Sequence, residues 1–234
     1  MSKREVSCDS CSLRPICMPS AITQEQLDTI DSIVKRGRSL KRGETLFHLS
    51  NPFESIFAVR SGAVKTYSLA PSGEELVTGF YLPGEILGLE GISQGVHMAT
   101  AVALETTTVC EIPFDRFGEL ALQIPSLQKH FFHLMSAEIW RDRLLHRLLG
   151  KRSADDRVVA LLLSLSARHQ RRGLSGTQFR LPMSRYDIGN YLGLAVETVS
   201  RIFTRLNKKD MVHVKGREID IPCLNTLKQI YATE

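Results

Sequence analysis

The sequence predicts an α+β protein in which a β domain comes first, one long helix follows, and a helix-turn-helix with a wing hairpin closes the chain. Three observations predict this. From residue 38 to 113, short runs rich in β-branched and aromatic residues (TLFHL, SIFAVRSG, AVKTYSL, LVTGFYL, TTTVCEIP) alternate with turn signals such as RGE, SNP, PSGE and LPGE, the texture of a sandwich or barrel-like β domain. From Ser126 to Leu149 neither Pro nor Gly interrupts the chain, so one long helix is expected. Between Ser184 and Asn207 two stretches with an apolar face flank Gly193, the shape of a helix-turn-helix.

The elements follow in order. A polar segment at the start carries Cys8, Cys11 and Cys17. Ile22, Leu27, Ile30, Ile33 and Val34 then recur near helical spacing, with Thr23 as N-cap and Gly37 as the stop. After the β region, FDRFGELALQ reads as a helix that ends before Pro125, and the long helix is expected to end at GKR. Ser153 and Asp156 form a capping-box pair opening RVVALLLSLSARH. Ser184 caps RYDIGNYL, whose buried face is Ile188, Tyr191 and Leu192, and Leu194 packs into the angle after Gly193. AVETVSRIFTRL puts Val199, Ile202, Phe203 and Leu206 on one face, and HVKGREIDI reads as a wing turning at Lys215–Gly216. The expected divisions are a cysteine-rich segment over 1–20, a β domain over 21–124, the long helix over 125–150 and a C-terminal domain over 151–234.

Charge divides the chain unevenly. Residues 1–150 carry 15 Lys and Arg against 17 Asp and Glu, a balance of −2, whereas residues 151–234 carry 15 against 8, a balance of +7. A basic C-terminal third points to a polyanion partner. No run of about 18 apolar residues occurs, so no membrane span is expected, and the N-terminus has no apolar signal core. The expected compartment is the cytoplasm, where thiols stay reduced and clustered cysteines read as metal or redox ligands.

On the second helix of the helix-turn-helix, Glu197, Ser200 and Arg201 stand at i, i+3 and i+4, opposite the apolar face and near the N-terminus. Their chemistry suits base edges: Arg holds guanine O6 and N7 with two bonds, Glu accepts from cytosine N4, and Ser serves either role. Arg185, Arg205, Lys208, Lys209, Lys215 and Arg217 surround this unit as candidate phosphate contacts. Double-stranded DNA is therefore the expected partner.

The spacing Cys8-x2-Cys11-x5-Cys17, with Cys110 on an apparent strand, offers four soft ligands. Spacing alone leaves zinc, an iron–sulfur cluster and unligated thiols all open. Cys223 stands apart and is expected to be a small core residue. An enzyme would need converging His and carboxylate ligands, but His48 and His97 are lone residues on different segments, and neither H-x-H nor H-E-x-x-H occurs. On the long helix, Phe132, Met135, Ile139, Asp142, His146 and Leu149 repeat at 3-4 spacing, the seam of a two-stranded coiled coil, so a homodimer is expected. A second stripe, Phe131, Leu134, Leu145 and Leu148, is available to face the β domain or to widen the seam. Asp142 is the anomaly in the seam: it either meets its own copy across a dimer or turns outward to an Arg such as Arg141 or Arg143.

CDSCSL with Cys17, the single later cysteine in TTTVCEIPF, GNYLGLAVETVSR, and the phrases FAVRSGAVKTY and YLPGEILGL together resemble the fumarate–nitrate reduction regulators, the oxygen-sensing branch of the cyclic-AMP receptor protein superfamily. The resemblance runs along nearly the whole chain. It implies an N-terminal β-roll effector domain (a jelly-roll-like double-stranded β-helix), a dimerisation helix and a C-terminal winged helix-turn-helix. It implies that Cys8, Cys11, Cys17 and Cys110 hold one oxygen-labile 4Fe–4S cluster. It further implies that Glu197, Ser200 and Arg201 read TTGAT-like half-sites of a palindrome, with Val196 against a thymine methyl, and that RNA polymerase is a partner. The cyclic-AMP branch binds its phosphate with an Arg that GVHMATAVAL lacks, so no cyclic nucleotide is expected.

Overall fold

The computed structural model describes residues 7–36 and 39–231. Contacts divide the chain into two compact units: residues up to Ser68 with Phe80–Ile139, and Leu69–Gly79 with Trp140 onward.

In the first unit, a single helical turn, α1 (Arg14–Cys17), starts with Pro among its first residues, where the missing N–H costs nothing. Helix α2 (Gln24–Ile33) opens on a capping box: Thr23 Oγ1 accepts from the Gln26 N–H and the Gln26 side chain accepts from the Thr23 N–H. Leu27 and Ile30 of α2 are buried. The helix ends at Ile33 with Val34 extended, and Gly37, the expected stop, lies outside the described residues.

Eight strands follow: β1 (Ser39–Leu40), β2 (Thr45–Phe47), β3 (Ser55–Ser61), β4 (Val64–Leu69), β5 (Glu75–Tyr81), β6 (Ile86–Leu87), β7 (Thr100–Ala103) and β8 (Thr107–Pro113). They form two four-stranded sheets, ordered β1-β8-β3-β6 and β2-β7-β4-β5. Strand β3 is buried on both faces from Ser55 to Val59. Its alternate side chains divide between two cores, as the period of two requires. Phe57 and Val59 join Leu40, Phe47, Val64 and Val109. Ile56 and Ala58 join Leu27, Ile30 and Ile112 in the core under the helices. On β8, Val109 belongs to the first core, while Cys110, paired with Ala58, faces the second.

Helix α3 (Phe114–Gln123) buries Phe117 and Leu120. Helix α4 runs Pro125–Lys151, 27 residues, one residue past the expected 125–150. Pro125 opens it, which the first turn tolerates, and it ends within GKR, with Gly150 inside its last turn. Leu127 is buried in the helix-side core, and the Phe131 ring lies 4.9 Å from that of Phe117 and 6.2 Å from that of Phe114.

In the second unit, α5 (Ala154–Arg171) begins at the Ser153–Asp156 capping box and buries Val158, Val159, Leu162 and Leu165. Strand β9 (Gln178–Arg180), helices α6 (Arg185–Leu192) and α7 (Val196–Lys208), strands β10 (His213–Lys215) and β11 (Glu218–Asp220), and helix α8 (Leu224–Tyr231) complete it. The wing is a three-stranded antiparallel sheet ordered β10-β11-β9. The two units together are the β-roll, long helix and winged helix-turn-helix that the sequence predicts.

Candidate cysteine site and nucleic-acid interface

The cysteine segment folds as a turn leading into one helical turn. The Cys11 N–H reaches Cys8 O at 3.4 Å, Arg14 N–H donates to Cys11 O at 3.0 Å, and Cys17 N–H donates to Leu13 O at 3.0 Å. This winding turns the three cysteines toward β8, whose helix-side face presents Cys110. All four line one small cavity of about 50 Å³, walled also by Ala58, Ile86 and Ile112. Among the described residues no group of three or more His, Cys, Asp or Glu side chains is set to hold a metal ion; the four thiols surround the cavity.

Their electrostatics reflect crowding. Burial, and then the neighbouring Cys11, Cys110 and Cys8, push the Cys17 thiol up to about 12. Burial pushes Cys8 up to about 12, with Asp31 adding to the rise and Arg36 opposing it. Burial also raises Cys110, against Arg36 and Arg60. Buried thiols this close ionise together only beside compensating positive charge. Four soft donors around one apolar cavity fit a polynuclear iron–sulfur core, whose irons supply that charge.

Two residues the sequence did not single out stand beside Cys8. Asp31 of α2 accepts the Cys8 N–H at 2.5 Å. Arg36 pairs with Asp31 and places Nη2 2.9 Å from Cys8 Sγ. They lie 23 and 28 positions along the chain from Cys8, and no local pattern marks them. Cys223 departs from expectation: it is exposed, lines no part of the cavity, and takes a hydrogen bond from Thr226 Oγ1 at 3.1 Å. That bond lowers its thiol below the ordinary value. It stands just before α8 rather than in a core.

The helix-turn-helix is built by local chemistry. Ser184 and Asp187 form the capping box of α6. Gly193 ends α6 at φ 63°, ψ 43°, the left-handed conformation that Gly adopts without strain. Leu194 N–H then donates to Gly189 O at 2.8 Å. The turn passes so close to α6 that a Cβ at position 189 would sit 2.5 Å from Leu194 O. Val199, Ile202, Phe203 and Leu206 bury the inner face of α7. Glu197, Ser200 and Arg201 are exposed on its outer face and Val196 is half-buried at its start. Their polar atoms rest on their own helix, Ser200 Oγ on Val196 O at 2.9 Å and Arg201 Nε near Glu197 O at 3.4 Å.

The six cationic candidates divide. Lys208, Lys209 and Lys215 are exposed. Arg185 stacks over the Phe203 ring at 3.8 Å and donates to Gly216 O at 2.9 Å, and Arg217 donates to Pro182 O at 3.0 Å; both guanidiniums brace the wing. Arg205 is held by Asp155 through two bonds, 3.0 and 2.5 Å. Arg157, also unmarked in sequence, donates to Leu149 O at 2.8 Å, Leu192 O at 3.1 Å and Arg152 O at 3.2 Å. It thereby ties the end of α4 to the end of α6.

Along α4, Phe132 (61% exposed) and Ile139 (50%) lie open, Asp142 and His146 are exposed, and Met135 and Leu149 are half-buried. Phe131, Leu134, Leu145 and Leu148 are all half-buried. The predicted seam is thus the more open of the two stripes.

A family model described as the cyclic nucleotide-binding domain matches residues 37–123, and one described as the Crp-like helix-turn-helix domain matches residues 156–230. The chain is 52% identical to the transcriptional activator protein Anr of Pseudomonas protegens over 93% of its own length and 89% of that protein's. It is 41% identical to the fumarate and nitrate reduction regulatory protein of Escherichia coli K12, over 96% and 90%. Among solved structures, FixK2 from Bradyrhizobium japonicum superposes with a TM-score of 0.78 at 28% identity, covering 86% of this chain and 99% of that one.

Proposed function

The chain belongs to the family of the Anr and fumarate and nitrate reduction regulatory proteins, and we propose that it regulates transcription of anaerobic genes by sensing oxygen through a labile 4Fe–4S cluster on Cys8, Cys11, Cys17 and Cys110. The observation that carries this reading is the meeting of those four thiols around one cavity. Bound there, the cluster would supply the oxygen-reactive centre. Cys8, Cys17 and Cys110 pack against the same core that takes Leu127 and Phe131 of α4. Ligation therefore bears on the seat of the helix whose open stripe we assign to the homodimer seam. The dimer would present two copies of α7 to a palindrome of TTGAT-like half-sites, with Glu197, Ser200 and Arg201 on base edges and Val196 against a thymine methyl.

The segment Gly95–Leu104 offers no Arg or Lys to a phosphate. Its His97 is buried, driven toward the neutral form by desolvation, and stacked on Phe47 at 3.8 Å. This supports a reading without a cyclic nucleotide. We read the protein as a cytoplasmic regulator that works with RNA polymerase and is not an enzyme; no helix among the described residues is long and apolar enough to cross a membrane.

The test is iron and acid-labile sulfide analysis of anaerobically purified protein, paired with binding to a TTGAT palindrome before and after air. Equal iron and sulfide, a visible chromophore and air-sensitive binding are expected. Zinc without sulfide would replace the reading with a zinc-stapled regulator.

A further inference from the structure

The Asp31–Arg36 pair has no role in reading DNA or forming the seam, yet it is drawn in from solvent: the Arg36 side chain is 17% exposed and that of Asp31 27%. Asp31 holds the Cys8 backbone through its N–H at 2.5 Å, and Arg36, fixed by Asp31, aims Nη2 at Cys8 Sγ from 2.9 Å. Cys8 is therefore gripped at both backbone and sulfur. The charge of Arg36 also bears on Cys110, across the same cavity.

A guanidinium carries five N–H donors in a rigid fork, so one Arg can serve a carboxylate and a sulfur together. With a neutral thiol this arrangement gains little for its desolvation. With a thiolate both partners are charged, and the N–H···S contact is an ion pair as well as a hydrogen bond. The geometry suits the ligated state of the cysteines.

We infer that Arg36, oriented by Asp31, is a positioning residue for the cluster: it fixes Cys8 as a thiolate ligand and sets how tightly the cluster is held and at what potential it is reduced. This rests on the cluster reading above. Hydrogen bonds to ligand sulfurs and nearby charge are the protein's means of tuning iron–sulfur potentials, and partners behind the ligands contribute substantially to metal retention. A donor lost from Cys8 leaves more negative charge on the sulfur. Adding one electron then becomes harder, so the potential falls, and the ligand is released more readily.

The experiment uses the full chain, reconstituted anaerobically with iron and sulfide, as wild type, Arg36→Gln, Arg36→Lys, Asp31→Asn and, as control, Lys35→Gln. Lys35 is the neighbouring cation, 65% exposed and paired with Glu111. Two quantities are read: the rate of iron transfer to a chelator without oxygen, and the midpoint potential for one electron supplied by a chemical reductant. Arg36→Gln should lose iron about tenfold faster or more and have a lower midpoint. Arg36→Lys keeps the charge but not the fork and should fall between Arg36→Gln and wild type. Asp31→Asn, which loosens Arg36, should speed iron loss as Arg36→Gln does; the loss of its own negative charge beside Cys8 offsets a fall in midpoint, so its iron-loss rate is the quantity read, and Lys35→Gln should match wild type. Should Arg36→Gln fail to fold, Arg36→Lys and Asp31→Asn decide. Wild-type midpoint and iron-loss rate in the folded Arg36 variants would overturn the inference while leaving the cluster reading intact. A wild type that takes up no iron and sulfide would overturn the cluster reading itself.

Discussion

Arg201, Cys110 and Cys223 show how much a single side chain's surroundings decide. Arg201 is exposed near the start of α7, where the proposed function sets it on a guanine edge. Arg201→Ala should cost about 1–3 kcal/mol at that base pair and relax selectivity there. Lys208→Ala or Lys209→Ala should instead weaken binding to every sequence and flatten its salt dependence. Binding isotherms on a set of single-base variants separate the two patterns, and uniform losses in both classes would remove α7 as the reading helix. Replacing Cys8, Cys11, Cys17 or Cys110 singly by Ser should abolish the anaerobic chromophore, because a hydroxyl is a poor ligand for iron; Cys223→Ser should retain it. The thiols also differ in reactivity. Cys8 and Cys17, pushed up to about 12, stay protonated through pH 8, whereas Cys223 is exposed and shifted down by Thr226. Since the thiolate is the nucleophile, iodoacetamide should modify Cys223 ahead of Cys8 and Cys17 in cluster-free protein. Peptide mass mapping reads the order, and modification of Cys17 first would contradict the described burial.

At the scale of elements, the turn between α6 and α7 holds the least tolerance. A methyl at position 189 meets the Leu194 carbonyl at 2.5 Å, and backbone on both sides cannot yield cheaply. Gly189→Ala should destabilise the C-terminal unit by about 1–3 kcal/mol, the usual cost of overpacking, and thermal unfolding followed by circular dichroism measures it. Arg157 works between elements. Its three bonds to the carbonyls of Leu149, Arg152 and Leu192 join the last turns of α4 and α6 by one half-buried cation. Arg157→Ala leaves those acceptors without it and should cost on the order of 2 kcal/mol. A melting temperature equal to wild type would mean water replaces the guanidinium without loss.

For the whole molecule, the proposed function requires a dimer that forms with the cluster and weakens without it. The outer stripe of α4 exposes Phe132 and Ile139, an apolar surface suited to a second copy, but Asp142 lies in the same 3-4 register and is also exposed. In the proposed parallel symmetric pair the two Asp142 carboxylates would approach each other, and their repulsion would offset part of the apolar gain. Asp142→Ala and Asp142→Asn should both tighten the cluster-free dimer. A gain of ~1–2 kcal/mol would shift the constant roughly tenfold or more and permit DNA binding in air. High salt should tighten wild type and leave the variants nearly unchanged, because screening acts on charge alone. Analytical ultracentrifugation of cluster-free protein decides it; a constant unmoved by either substitution would assign Asp142 to solvent.

Where the physics is local, the sequence by itself determined the outcome. Period-two strands, the Thr23, Ser153 and Ser184 caps, the left-handed Gly193 and the apolar face of α7 all stand where their residue patterns put them, because each depends on neighbours within a turn or two. Cys110 was legible as a strand residue, and its face follows from alternation with Val109. Only the tertiary structure decided which distant groups meet. Asp31 and Arg36 reach Cys8 across 23 and 28 positions, Arg157 reaches Leu192 across 35, and Asp155 takes Arg205 across 50. Cys223 stands in water although its residue type favours burial. Hydrogen bonds and ion pairs between remote segments carry no periodicity, so they leave no mark in the sequence until the core brings those segments together.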